Sequence, residues 1–178
     1  FYDHSSLNKI INDNKFIESY SLAKLKSFNP NIFNCCDKHR MYIEIIQNSN
    51  KDIKEGAVFN EIGIIGQVVN NKSFYEVMLL TDTKSSIPLT NSKENLYCNA
   101  IGSGVSGYIT CSYNQLVWSD DHELGEKFFS SGLGGIYPKG IEIGNLESKK
   151  IIDQSTTLLK IKLISNPLHS NLFGVIKL

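Results

Sequence analysis

The chain has 178 residues, and its 18 basic and 18 acidic side chains give a formal net charge of zero. Hydrophobic residues make up 41 % and charged residues 20 %, proportions of a globular chain that exclude compositional disorder. The balanced charge removes the basic excess on which nucleic-acid binders rely, so no nucleic-acid partner is expected.

The length fits one compact domain or two small ones. No apolar run approaches the ~20 residues of a membrane helix. No signal peptide is visible and the first residue is Phe1, so the expectation is a soluble portion of a longer protein.

Residues 1–20 read as the end of a helix. Leu7, Ile10, Ile11, Asn14, Ile17 and Tyr20 recur at three- and four-residue spacing. Leu7, Ile10, Asn14 and Ile17 are the candidate seam of a dimerising coiled coil, with Asn14 as a register-setting polar residue. The alternative is an amphipathic helix lying on the domain. Asn29-Pro30-Asn31 stops any regular element.

From Ser21 onward the signals are β. Strands are predicted over 41–47, 57–59, 63–69 and 74–80, the last two joined as a hairpin across Asn70-Asn71-Lys72. Residues 86–89 are extended, and Pro88 suggests an edge. Further strands are expected over 96–100, 108–113, 127–130, 141–143, 157–163 and 172–178. Short strands separated by turn clusters indicate a sandwich or small barrels. A weak internal repeat favours two barrels. Lys54 to Phe59 leads to Gly63-Ile64-Ile65-Gly66, and Glu123 to Phe128 leads to Gly132-Leu133-Gly134-Gly135. Closure would remove the exposed edges that many short strands create. The expected organisation is a helix over 1–20, a first barrel over 21–88 and a second over 89–178, with a late strand able to return to the first.

The cysteines are Cys35, Cys36, Cys98 and Cys111, without the C-x2-4-C pairs of zinc sites. Cys98 and Cys111 flank a Gly-rich turn. Buried or half-buried free thiols are the expectation, and a Cys98–Cys111 bridge is the alternative.

The most specific segment is Ser130-Ser131-Gly132-Leu133-Gly134-Gly135-Ile136-Tyr137-Pro138-Lys139-Gly140-Ile141-Glu142-Ile143-Gly144. It resembles the signature of the MreC family, roughly T-S-G-L-G-G-x-[FY]-P-x-G-[IL]-x-[IV]-G. A second span is similar to the same family in order and spacing: Gly63 to Val69, then Val77 to Asp82, then Ile87-Pro88. The resemblance implies two six-stranded β-barrels behind a dimerising coiled coil. It also implies an N-terminal membrane helix, absent from this chain, that anchors the protein on the periplasmic face of the cytoplasmic membrane. The implied role is a scaffold of cell-wall elongation. The implied partners are the elongation-specific penicillin-binding transpeptidase and the MreD membrane protein. The chain departs from the family in its four cysteines and in having Arg40 as its one arginine.

The physics of the signature suits a structural turn. Four glycines, Gly132, Gly134, Gly135 and Gly140, permit positive φ and close backbone approach, Pro138-Lys139-Gly140 suits a tight turn, and Gly144 ends the signature. Ser131 lies in the same segment, and Leu133, Ile136 and Tyr137 are expected to plug the space between sheets. A phosphate cradle would need a following helix N-terminus, whereas Gly140 precedes a β-like run.

Paired barrels also describe chymotrypsin-like hydrolases, the alternative function. That chemistry needs a nucleophile, a base and an orienting carboxylate. His39 lies near Asp37, and His122 lies near Asp120 and Asp121, but the Gly-Asp that should precede the serine is missing before Ser131. All four histidines are expected in loops or helices. Asp120, Asp121 and Glu123 lack the alternating ligands of a calcium loop. No catalytic residue, cofactor or metal is therefore expected. The candidate anchors for a protein partner are Phe74, Tyr75, Tyr113 and Trp118, since exposed aromatics carry interfaces. With zero net charge, that interface should be mainly apolar.

Overall fold

The computed structural model describes residues 5, 7, 8, 20–34, 36–47, 55–70 and 74–176. The chain forms β1 Ser21–Phe28, a single helical turn Asn31–Asn34, β2 Arg40–Gln47, β3 Gly56–Phe59, β4 Ile64–Asn70, β5 Tyr75–Leu79 and β6 Ser86–Asn91. It continues through β7 Tyr97–Gly102, β8 Tyr108–Asn114, β9 Lys127–Ser130, β10 Glu142–Ile151, β11 Thr156–Leu163 and β12 Leu172–Ile176. Two closed antiparallel barrels result, in the orders β1-β12-β3-β4-β5-β2 and β10-β11-β8-β7-β6-β9.

The last strand, β12, pairs with β1 and β3 and closes the first barrel. β6 spans the expected division at residue 88 and belongs wholly to the second barrel. The chain therefore passes between barrels in residues 80–85 and returns in 164–171. Most of the predicted N-terminal helix lies outside the described residues; Ser5, Leu7 and Asn8 are helical.

Alternation explains the cores. In β11, Leu159 and Ile161 point inward and Lys160 and Lys162 outward. Leu159 lies opposite Cys111, and Ile161 opposite Ile109. The first barrel is filled by Ala23, Met41, Ile43, Val58, Val68, Val77, Leu79, Phe173 and Val175. The alternate residues Leu22, Ala57, Phe59 and Ile176 belong to the larger cluster that fills the second barrel. The Phe59 ring lies over Gly174, where an added β-carbon would sit 2.2 Å from Cζ. Tyr20 packs edge-on against Phe59 at 5.5 Å.

Cys98 and Cys111 are joined as a disulfide with Cα atoms 6.1 Å apart, which corrects the expected free thiols. Ala100 faces Cys111 in the β7–β8 ladder. Cys98 is then the diagonal neighbour of Cys111 on the same face, a register that the turn between the strands sets.

The segment joining the barrels is pinned by polar contacts. Asp82 is buried and accepts from the His39 amide at 2.9 Å and from Arg40 Nε at 2.8 Å. Arg40 also reaches Glu76 at 3.2 Å, and His39 Nδ1 lies 2.7 Å from Thr81 Oγ1.

Candidate protein-interaction surface

The signature loop is closed at its base by backbone bonds. Ser130 N donates to Ile141 O at 2.8 Å, and Gly140 N donates to Ser130 O at 2.8 Å. The Ser130 hydroxyl accepts from Ile141 N at 3.0 Å and donates to Pro138 O. Ser131 N donates to Pro88 O at 3.0 Å, which ties the loop to β6. Tyr137 is buried in the core beneath, and burial pushes its hydroxyl well above the usual tyrosine range. Leu133, expected to plug the core, is instead exposed at the loop tip. It stands between Gly132 at φ +79° and Gly134 at φ +80°, and that left-handed course carries the tip away from the barrel.

Of the four aromatic candidates, Tyr113 is corrected to a core residue, 5 % exposed. It shares the inward parity of Ile109 and Cys111 on β8. Trp118 is half-buried, with its ring 5.9 Å from Tyr97. Phe74 is 46 % exposed, with Lys26 Nζ 5.3 Å from its ring centre. Its neighbour Tyr75 packs partly against the first core.

Leu7 is buried in the larger core cluster. That contact within the chain corrects its placement on a free dimer seam. Ile10, Asn14 and Ile17 lie outside the described residues.

A surface that sequence reasoning did not find lies beside Trp118. Leu116 is 76 % exposed and Val117 70 %, in the turn after β8; Ile151 is 65 % and Ile152 51 %, at the β10–β11 tip. Hydrogen bonds join the two turns. Gln115 N donates to Ser155 O at 2.9 Å, Gln115 Nε2 donates to Gln154 O at 2.9 Å, and the Thr157 hydroxyl donates to the side-chain oxygen Oε1 of Gln115. Four aliphatic side chains thus stand at one end of the second barrel, in contrast to the scattered single apolar residues of an ordinary surface.

The residues a hydrolase would need are engaged elsewhere. His39 binds Thr81 through Nδ1, whereas Ser131 bonds Pro88 and Leu133. His122 faces Glu126 and the Ser119 carbonyl. Both histidines lie in loops, as expected, and both are buried. Asp120 accepts from the Tyr113 hydroxyl at 2.5 Å and lies 3.9 Å from Lys149 Nζ. Among the described residues no group of three or more acidic, histidine or cysteine side chains is placed to hold a metal.

The fold defines an all-β protein of two closed barrels with an apolar surface at one end of the second. The family model "Rod shape-determining protein MreC, barrel core" matches residues 32–177, and the chain belongs to the MreC family. Among curated relatives, the cell shape-determining protein MreC of Haemophilus influenzae is 32 % identical over 111 residues, 59 % of this chain and 30 % of that protein. The Escherichia coli protein of the same name is 27 % identical over 120 residues, 66 % of this chain and 32 % of that one. The chain thus spans about a third of the length of these curated relatives. MreC from Pseudomonas aeruginosa superposes with a TM-score of 0.75 at 23 % identity, over 90 % of this chain and all of that one. A complex between penicillin-binding protein PBP2 and MreC from Helicobacter pylori contains a chain with a TM-score of 0.63 at 16 % identity, covering 89 % and 97 %. At these identities the structural likeness establishes the fold.

Proposed function

We propose that this chain is the docking portion of a scaffold for cell-wall elongation, which holds an elongation-specific penicillin-binding transpeptidase on the extracytoplasmic face of the cytoplasmic membrane. The observation that carries the docking step is the aliphatic surface of Leu116, Val117, Ile151 and Ile152 beside Trp118. Family membership supports the shape-determining role, and a protein of the same fold stands in complex with PBP2. Exposed aliphatic and aromatic side chains are the usual anchors of a protein interface. Phe74 is a second anchor, on the first barrel. The same proposal includes an N-terminal membrane anchor, contact with the MreD membrane protein, and self-association through Ile10, Asn14 and Ile17.

The test is titration of the transpeptidase ectodomain against Leu116→Ala, Val117→Ala, Ile151→Ala, Trp118→Ala and Phe74→Ala, with melting followed in parallel. A true anchor loses on the order of 2 kcal/mol, about thirtyfold in affinity, while the exposed aliphatic variants melt within about 0.5 kcal/mol of the parent. Parent-like binding by all five folded variants refutes this docking surface.

A further inference from the structure

Residues 118–126 run from Trp118, next to the exposed Leu116-Val117 turn, back to β9. Main-chain bonds from Gly125 N to Leu146 O and from Leu146 N to Glu126 O, both 2.8 Å, fix the end of this loop to β10, and at its centre is His122, whose side chain is fully buried. Nε2 lies 2.7 Å from Ser119 O, and Nδ1 lies 2.8 Å from Glu126 Oε2. A peptide carbonyl can only accept, so Nε2 must carry a hydrogen. A neutral imidazole then has a bare Nδ1, which cannot bond an ionised carboxylate. The Nδ1–Glu126 contact therefore requires one more proton, on the ring or on the carboxyl group.

The other groups facing this pair do not supply it. From β8, the Tyr113 ring packs edge-on at 5.5 Å, and its hydroxyl donates to Asp120. Burial, then the Asp120 hydrogen bond, push that hydroxyl well above the usual tyrosine range, so it stays neutral. From β10, Lys149 approaches Asp120 at 3.9 Å. From β6, the Asn91 amide donates to the other Glu126 oxygen at 2.9 Å.

We propose that His122 and Glu126 hold one proton beyond a neutral histidine and an ionised glutamate, and that this proton latches loop 118–126 in the form that presents Trp118. The regulatory consequence rests on the docking surface proposed above. Loss of the proton leaves two acceptors facing each other, or turns the ring's single hydrogen from Ser119 toward Glu126. Either way one of the two clasps opens. The latch is closed while the pair holds this proton and opens when the proton is lost.

Trp118 is the only tryptophan in the chain, so its emission reports the loop. As pH is raised, the parent's emission maximum should move to longer wavelength, whereas His122→Gln and Glu126→Gln should give flat profiles. Affinity for the transpeptidase ectodomain should fall with rising pH in the parent alone. If the variants fail to fold, imidazole nitrogen NMR of the parent decides. A singly protonated His122 ring beside an ionised Glu126 at the acid end of the pH series overturns the latch, as does a flat parent emission profile. A parent whose emission titrates while affinity stays constant retains the latch and overturns the docking role of this loop.

Discussion

Two loops of the second barrel divide the work of holding them differently between main chain and side chains. The signature loop, 131–140, is closed by main-chain bonds between Ser130, Gly140 and Ile141, and its path depends on left-handed glycines. The 115–126 loop has a single left-handed glycine, Gly125 at φ +86°, and adds to its main-chain bonds a set of side-chain contacts from Asn114, Gln115, Tyr113, His122, Glu126 and Lys149. The first loop places Tyr137 in the core. The second leaves Leu116 and Val117 in solvent. Main-chain bonds and left-handed glycines hold one geometry, whereas contacts between side chains can be removed one at a time.

The largest effect should come from breaking the first loop. Gly132 has φ +79°, and a β-carbon there would stand 2.8 Å from Lys139 Cβ. Gly132→Val combines strain with overlap and should cost on the order of 3 kcal/mol. Gly134 and Gly135, at φ +80° and +73°, have open space around a β-carbon. Valine there should cost about 1–3 kcal/mol through backbone strain alone. Chemical denaturation ranks the three, and equal stabilities for all three variants would contradict a steric contribution at Gly132.

Removing one clasp of the second loop should cost less. Tyr113→Phe keeps the buried ring and deletes the 2.5 Å bond to Asp120. A loss of about 1–2 kcal/mol is expected, with faster amide exchange in residues 118–126 and an unchanged β8–β11 ladder. Uniformly faster exchange throughout the barrel would mean that Tyr113 acts through the core instead.

The asymmetry between these loops also marks what the sequence made legible. The signature loop is a local motif whose glycines and proline state their own geometry, so its turn is readable from residues 130–144. The paired barrels are readable for the same reason, since period-two alternation recurs at short intervals. β10 runs to Ile151, beyond the predicted 141–143, because its outer half is Glu147-Ser148-Lys149-Lys150 and a bulge between Leu146 and Ser148 breaks the alternation. β1 had a usable signal in the outward Lys24 and Lys26 around Leu25. The parity of Ile109, Cys111 and Tyr113 could have placed Tyr113 inside. The aliphatic surface had no such signal. Leu116-Val117 and Ile151-Ile152 read as core by composition, and only the pairing of β8 with β11 brings the two turns together in solvent. His122 likewise sits beside Asp120 and Asp121 in sequence, yet its partner is Glu126, one turn of loop away.

The smallest effect should appear at the rim of that surface. Asp153 caps the β10–β11 turn: its Oδ1 accepts from Ser155 N at 2.9 Å and from Thr156 N at 2.8 Å. These two amides hold its carboxyl below the usual aspartate range. A carboxyl depressed in the folded state stabilises the turn above the ordinary aspartate value of about 4, and that contribution is lost as pH falls through the lower folded value. The group is solvent-exposed, so overall melting should barely move. The local consequence is sharper. Below about pH 4, the amides of Ser155 and Thr156 should exchange faster, because a protonated carboxyl accepts more weakly than a carboxylate. Asp153→Asn retains an accepting oxygen but does not titrate, so its turn should exchange with no acid-dependent step beyond the intrinsic chemistry. An acid-dependent step of equal size in this variant would transfer the effect to another carboxyl. With Asp153 protonated, the 151–156 tip should loosen while Gln115 still holds Gln154 and Ser155 from the neighbouring turn. Ile151 and Ile152 would then lose their fixed placement before Leu116 and Val117 do.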